Sequence, residues 1–124
     1  RFTTLFPMNT VKPLRLTLAL MAQEDPKTED VMHAIFKALW VDNRDISSPE
    51  VLTEILNETQ TDVSYLEKIT EPAIKEELKI RTQEAIDKGV CGAPTYAVED
   101  MLFWGQDRVG FVEHALKGWR PACG

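Results

Sequence analysis

At Gly89 the sequence changes its period, and that change limits what the chain can fold into. Before it, apolar residues recur every three or four positions, the spacing of helices with one buried face. After it come Thr95-Tyr96-Ala97-Val98 and Met101-Leu102-Phe103-Trp104, short runs that are apolar at nearly every position and flank Glu99-Asp100. The pattern predicts a β-hairpin. Val90-Cys91-Gly92-Ala93-Pro94 cannot be helical, and Gly105 closes the second strand. A hairpin alone is marginally stable, and strands this apolar belong in a sheet covered on both faces. The expectation is a hairpin that needs partner strands from outside this chain.

Upstream, the spacing predicts a succession of helices. Asn9 or Thr10 caps the first, Pro13 falls in its first turn, and Leu14, Leu16, Leu18, Leu20 and Met21 put apolar groups on both sides. That predicts a largely buried helix. Asp25-Pro26 breaks the chain. A helix over 28–40 carries two neighbouring stripes, Val31/Ile35/Leu39 and Met32/Phe36/Trp40, both read as core. Ser48-Pro49-Glu50 starts a third helix, with a capping serine and a proline at the first position. Thr61 opens a short fourth with Val63, Leu66 and Ile69; Thr70-Glu71-Pro72 opens a fifth with Ile74, Leu78, Ala85 and Ile86 as its seam, ending at Lys88-Gly89. Asp107 is expected to cap a last helix bearing Val109, Val112, Ala115 and Leu116, and the tail from Trp119 to Gly124 to be irregular.

Composition narrows the function classes. The 124 residues suffice for one modest domain, and 44% hydrophobic content provides a core. A net charge of −6 argues against a nucleic-acid surface. No apolar run approaches the ~20 residues that span a bilayer, so no membrane partner is expected. The two cysteines, Cys91 and Cys123, form no C-x-x-C pair, which argues against a disulfide scaffold and dithiol chemistry and fits a reducing, cytoplasmic compartment. His33 and His114 lie far apart, without ligand spacing, so no metal is expected. The first residue is Arg1, and the chain is expected to begin inside a longer protein.

Gly89-Val-Cys-Gly-Ala-Pro-Thr-Tyr-Ala-Val98, followed by Phe103-Trp-Gly-Gln-Asp-Arg108, resembles the C-terminal signature of the 2-hydroxychromene-2-carboxylate isomerase and kappa-class glutathione transferase family: G-V-F-G-A-P-T-F, a short hairpin, then F-x-G-Q-D-R. Phe6-Pro-Met-Asn-Thr10 resembles the family's approach to its helical insertion, and Ala34-Ile-Phe-Lys-Ala-Leu-Trp40, Asp45-Ile46 and Pro49 its middle. The likeness covers about residues 5–118. It implies an α/β, thioredoxin-like fold of the DsbA/kappa type, interrupted by a helical insertion. Residues 1–88 would be that insertion and 89–124 the closing β-β-α half. The opening β-α-β, with the catalytic serine, would be missing, so no catalytic residue is expected in this chain.

The resemblance also assigns site residues. At Ala93-Pro94 the family has a cis proline, which turns the backbone of the preceding residue outward to pair with the extended peptide of glutathione; the plain alternative is a proline that starts a strand. Gln106 and Asp107 would hold the γ-glutamyl end of glutathione, where a carboxylate suits either an amine or a helix cap. Asn9 would point to the substrate cleft, or simply cap its helix. Cys91, standing where the family often has Phe, reads as a small buried hydrophobe. Glu71, Glu76 and Glu77 read as a solvated face.

The function so implied is a glutathione-dependent isomerase acting on a small aromatic oxo-acid, with glutathione as a borrowed nucleophile whose thiol the protein activates. The alternatives are a kappa-class glutathione transferase, which would admit an organellar matrix, and a non-catalytic fragment or scaffold. A DsbA-like oxidoreductase is disfavoured by the lack of C-x-x-C. The expected partners are a small-molecule substrate and either a second copy or the missing N-terminal segment.

Overall fold

The computed structural model describes residues 2–118; the tail from Trp119, with Cys123, lies outside them. The element order is α1 (Val11–Ala22), α2 (Thr28–Trp40), α3 (Pro49–Glu58), α4 (Tyr65–Lys68), α5 (Pro72–Asp87), β1 (Thr95–Val98), β2 (Met101–Trp104), a 3-10 turn (Gln106–Arg108) and α6 (Val109–Leu116). The chain divides into two compact units, Arg1–Ile80 and Arg81–Gly124, with the division inside α5.

The first unit is helical. Leu16, Leu20, Val31, Leu52, Ile55 and Leu56 are fully buried at its centre. The apolar spacing of α1, α2 and α3 aligns these residues, and burying each such side chain contributes ~1.5–3 kcal/mol. Asp25 organises the turn between α1 and α2. One carboxylate oxygen accepts the Lys27 N–H at 2.8 Å, and the other accepts the Tyr65 hydroxyl at 2.7 Å. Its carbonyl accepts the Thr28 hydroxyl at 2.6 Å.

Core assignments on three helices need correcting. Only one of the two apolar stripes on α2 is buried. Val31, Ile35, Ala38 and Leu39 face the core, while Met32, Phe36 and Trp40 are 37%, 58% and 41% exposed. On α1, Leu14 and Met21 are likewise exposed, although Leu16, Leu18 and Leu20 are buried. A helix in a single layer of helices can turn one stripe inward. The other stripe is covered only in part, by the Phe2 and Phe6 rings that meet Trp40. On α5, Ile74 is buried and Leu78 packs against the core, but Ile86 is exposed. Glu77 is half-buried beside the exposed Glu71 and Glu76.

The caps match in position more than in chemistry. Asn9 Oδ1 accepts the Val11 N–H at 2.9 Å, tying the start of α1. Ser48 stands at the N-cap of α3 in extended geometry with Pro49 behind it, but its hydroxyl donates to Glu50 Oε2 at 2.7 Å instead of accepting a backbone amide.

In the second unit β1 and β2 pair antiparallel, with Thr95 opposite Trp104 and Val98 opposite Met101. They make a two-stranded sheet. The turn places Glu99 at φ 55°, and α6 packs on the hairpin with Ala115 buried. Tyr96, Val98, Met101 and Phe103, on one face, are half-buried, whereas Ala97, Leu102 and Trp104 on the other are exposed. Covering on both faces, expected from the apolar sequence, is not found among the described residues of this unit.

Candidate functional site

The end of the hairpin away from its turn gathers the residues that the sequence singled out in this unit. The Ala93-Pro94 peptide is cis, as expected; a second cis bond, Phe6-Pro7, was not foreseen. The Pro94 carbonyl accepts the Gly105 N–H at 2.9 Å, fastening the two segments that carry Ala93-Pro94 and Gln106-Asp107. In an antiparallel ladder, successive residues send their backbone groups to opposite edges. Pro94 points toward β2, so within β1 Thr95 and Ala97 direct their N–H and C=O groups to the outer edge. That edge has no partner strand among the described residues.

Glycine shapes both sides of this end. The indole of Trp104 lies over Gly92, close enough that a Cβ there would collide with Nε1. The Thr95 hydroxyl donates to the Gly92 carbonyl in a short contact. Gly105 has φ 100°, and a Cβ on it would come within 2.5 Å of Asp107 Oδ1.

Two expectations fail here. Asp107 does not cap α6. It sits second in the 3-10 turn, whose N-cap is Gly105, and α6 begins only at Val109 with Arg108 as its N-cap. The extra turn sets the carboxylate beside Gly105, and α6 has no side-chain hydrogen bond at its cap. Cys91 is exposed, not a buried hydrophobe, because no helix or strand among the described residues folds over it. His33 and His114 are exposed on their helices. Among the described residues no group of three or more His, Cys, Asp and Glu could hold a metal ion, and no helix is long and apolar enough to cross a membrane.

Asn9 belongs to the other unit, where its side chain is engaged with Val11. The same unit holds a feature that sequence reasoning missed: a cleft of about 290 Å³ between α1 and α2, walled by Pro13, Leu14, Met32, Phe36 and Trp40. Trp40 also meets Phe2 and Phe6, with ring centroids 5.5 and 6.5 Å away. The sequence signal was the second apolar stripe of α2, which can line a cleft as readily as a core.

A DSBA-like thioredoxin domain matches residues 1–117. The chain belongs to that family. Among DSBA-like proteins it is similar to a 2-hydroxychromene-2-carboxylate isomerase of Sphingobium xenophagum, 30% identical over 99 residues, covering 79% of this chain and 51% of that protein. It is also similar to a protein of the same name from Pseudomonas sp. (strain C18), 30% identical over 95 residues, covering 74% of this chain and 44% of the relative. The chain thus spans about half the length of the curated relatives it matches.

Proposed function

We propose that this DSBA-like chain is the helical insertion (1–88) and closing β-β-α half (89–124) of a glutathione-dependent isomerase acting on an aromatic oxo-acid of the hydroxychromene carboxylate kind. The observation that carries the reading is the 30% identity to two proteins of that name over most of the chain.

The end of the hairpin is compatible with glutathione. An extended peptide needs a strand edge with free backbone groups; the outer edge of β1 has no partner among the described residues, and Ala93 immediately precedes it. An α-amino group needs a carboxylate, and Asp107 stands with Gln106 on the segment fastened to that edge. When bound, glutathione would supply a thiol nucleophile. The work of this chain would be to align the peptide along Ala93 and to hold its charged end at Gln106 and Asp107, so that the thiol is oriented before the reaction. Asn9 would face the substrate side of the helical part. No catalytic side chain is assigned here; a serine in the remainder of the intact protein would poise the thiol.

The open edge of β1 supports association with a further segment of the protein or with a second copy. A cytoplasmic setting is part of the same reading, supported by the lack of a C-x-x-C pair in the sequence.

The test is an absorbance assay of isomerisation on the intact protein that contains this sequence, with and without glutathione. Glutathione-dependent interconversion of the closed and open forms of the acid is the expected result. Conjugation of glutathione to an electrophilic nitroarene without isomerisation would support the kappa-class transferase instead. No turnover of either kind would leave the scaffold reading.

A further inference from the structure

β2 has an outer edge of its own, away from β1. The Gly105 N–H donates to the Pro94 carbonyl, and Thr95 stands opposite Trp104 in the register. Backbone groups alternate between the two edges of an antiparallel strand. Met101 and Phe103 therefore bond back to β1, while Leu102 and Trp104 turn their N–H and C=O groups outward. No third strand takes them among the described residues, and no backbone hydrogen bond outside the ladder engages either residue. An edge of this kind templates pairing with another strand.

Charges of opposite sign mark the two ends of the edge. Glu99 and Asp100 form the turn before β2, and Arg108 lies in the 3-10 turn after it. Asp100 and Arg108 are both exposed, and the ion pairs seen among the described residues include neither. The Arg108 guanidinium lies 5.7 Å from the centre of the Phe111 ring. With Leu102, Phe103, Trp104 and Phe111 it walls a groove of about 260 Å³. Asp107 does not line that groove; its carboxylate stands beside Gly105. Between the charged ends the surface is apolar, with Leu102 and Trp104 37% and 59% exposed on one face.

We propose that this edge pairs with the same edge of a second copy, antiparallel about a two-fold axis at Phe103, to make a four-stranded sheet. Parity sets the register. Outward residues must face outward residues, and setting Leu102 of one copy opposite Trp104 of the other uses both in both copies. The same pairing brings the Asp100 end of each copy to the Arg108 end of the other, so each charged contact forms twice. A patch that is acidic at one end, apolar in the middle and basic at the other is complementary to itself under a two-fold axis. Cross-strand contact of Leu102 with the indole of the second copy covers apolar surface that the hairpin leaves open, and four strands hold together where two are marginal. The outer edge of β1 stays free for the remainder of the intact protein. The pairing rests on neither glutathione nor the isomerase reading.

The test is sedimentation equilibrium of the 124-residue chain and of three variants, Arg108→Asp, Asp100→Arg and the double variant that exchanges the two charges. Each single reversal turns both symmetry-related attractions into repulsions and should weaken dimerisation about tenfold. The double variant should return it close to the original value, which separates a lost contact from a lost fold. In the dimer, hydrogen exchange should slow at the Leu102 and Trp104 amides. A chain that stays monomeric, a dimer indifferent to both single reversals, or a double variant no better than the singles would overturn the proposal. So would association that falls in Ala97→Pro and not in Arg108→Asp, since it would then run along β1.

Discussion

The Tyr65 hydroxyl donates to Asp25 across forty residues of sequence, joining α4 to the turn between α1 and α2. Burial first, and then the hydrogen bond to Asp25, push the Tyr65 phenol up to about 12. The Lys27 amide first, and then Tyr65, hold Asp25 below its usual range. The signs differ. A raised phenol contributes stability that is complete below its unfolded value near 10 and is lost as pH rises toward 12. A lowered carboxyl contributes stability above its unfolded value near 4 that is lost as pH falls further. In a Tyr96→Phe background, ultraviolet titration should therefore show one phenol ionising near pH 12, and Asp25→Asn should bring it toward 10. A midpoint unmoved by Asp25→Asn would mean that the contact does not persist in solution.

Much of the fold was legible locally. Pro26 and Pro49, together with the spacing of apolar residues, marked the starts of α2 and α3, and the switch to short apolar runs located both strands. What local pattern could not decide was which stripe of α2 turns inward, because Val31/Ile35/Leu39 and Met32/Phe36/Trp40 are equally apolar; the choice is made by where α1 and α3 pack. Cys91 was misread for the same reason, since burial depends on what folds over a bend. Asp107 was misplaced because a 3-10 turn and a first α turn look alike in sequence. At the candidate site, Ala93-Pro94 and Gln106-Asp107 were legible as positions. The ladder parity that turns Thr95 and Ala97 outward, and the cleft beside Trp40, required coordinates.

The two stripes of α2 make a direct test. Ile35 is 7% exposed and Met32 is 37% exposed. Ile35→Ala should cost ~2–5 kcal/mol of stability in chemical denaturation, and Met32→Ala within about 0.5 kcal/mol of nothing. Equal, large losses would mean that both stripes are covered in solution.

Gly105 and Asp107 can be separated by substitution. Gly105→Ala meets both a left-handed backbone and the Asp107 carboxylate, and should destabilise the second unit by ~1–3 kcal/mol. Asp107→Asn keeps the shape and removes the charge. In the intact protein it should weaken glutathione by ~1.5–3 kcal/mol, the range for a hydrogen bond to a charged group. Calorimetry showing full affinity in Asp107→Asn would remove Asp107 from the binding site.

The last prediction concerns assembly. β1 has a partner on one side only, and on the other Thr95 and Ala97 present backbone donors and acceptors, the arrangement that templates pairing with another strand. The apolar cover is also incomplete: Leu102 is 37% exposed, Trp104 59%, Phe111 46% and Leu116 72%. Each large apolar side chain left in water forgoes part of the ~1.5–3 kcal/mol that burial would contribute, against a typical net stability of ~5–15 kcal/mol. The 124-residue chain is therefore expected to self-associate, or to bind the remainder of the intact protein when that is supplied. Pairing along β1 would place Thr95 and Ala97 in a ladder and protect their amides from exchange. Light scattering should report a mass above that of one chain, and hydrogen exchange should slow at the outward amides of β1. A substitution to proline at Ala97 removes one outward N–H and should reduce the association. A monodisperse monomer that unfolds cooperatively and binds no hydrophobic dye would show that the open edge of β1 does not drive association.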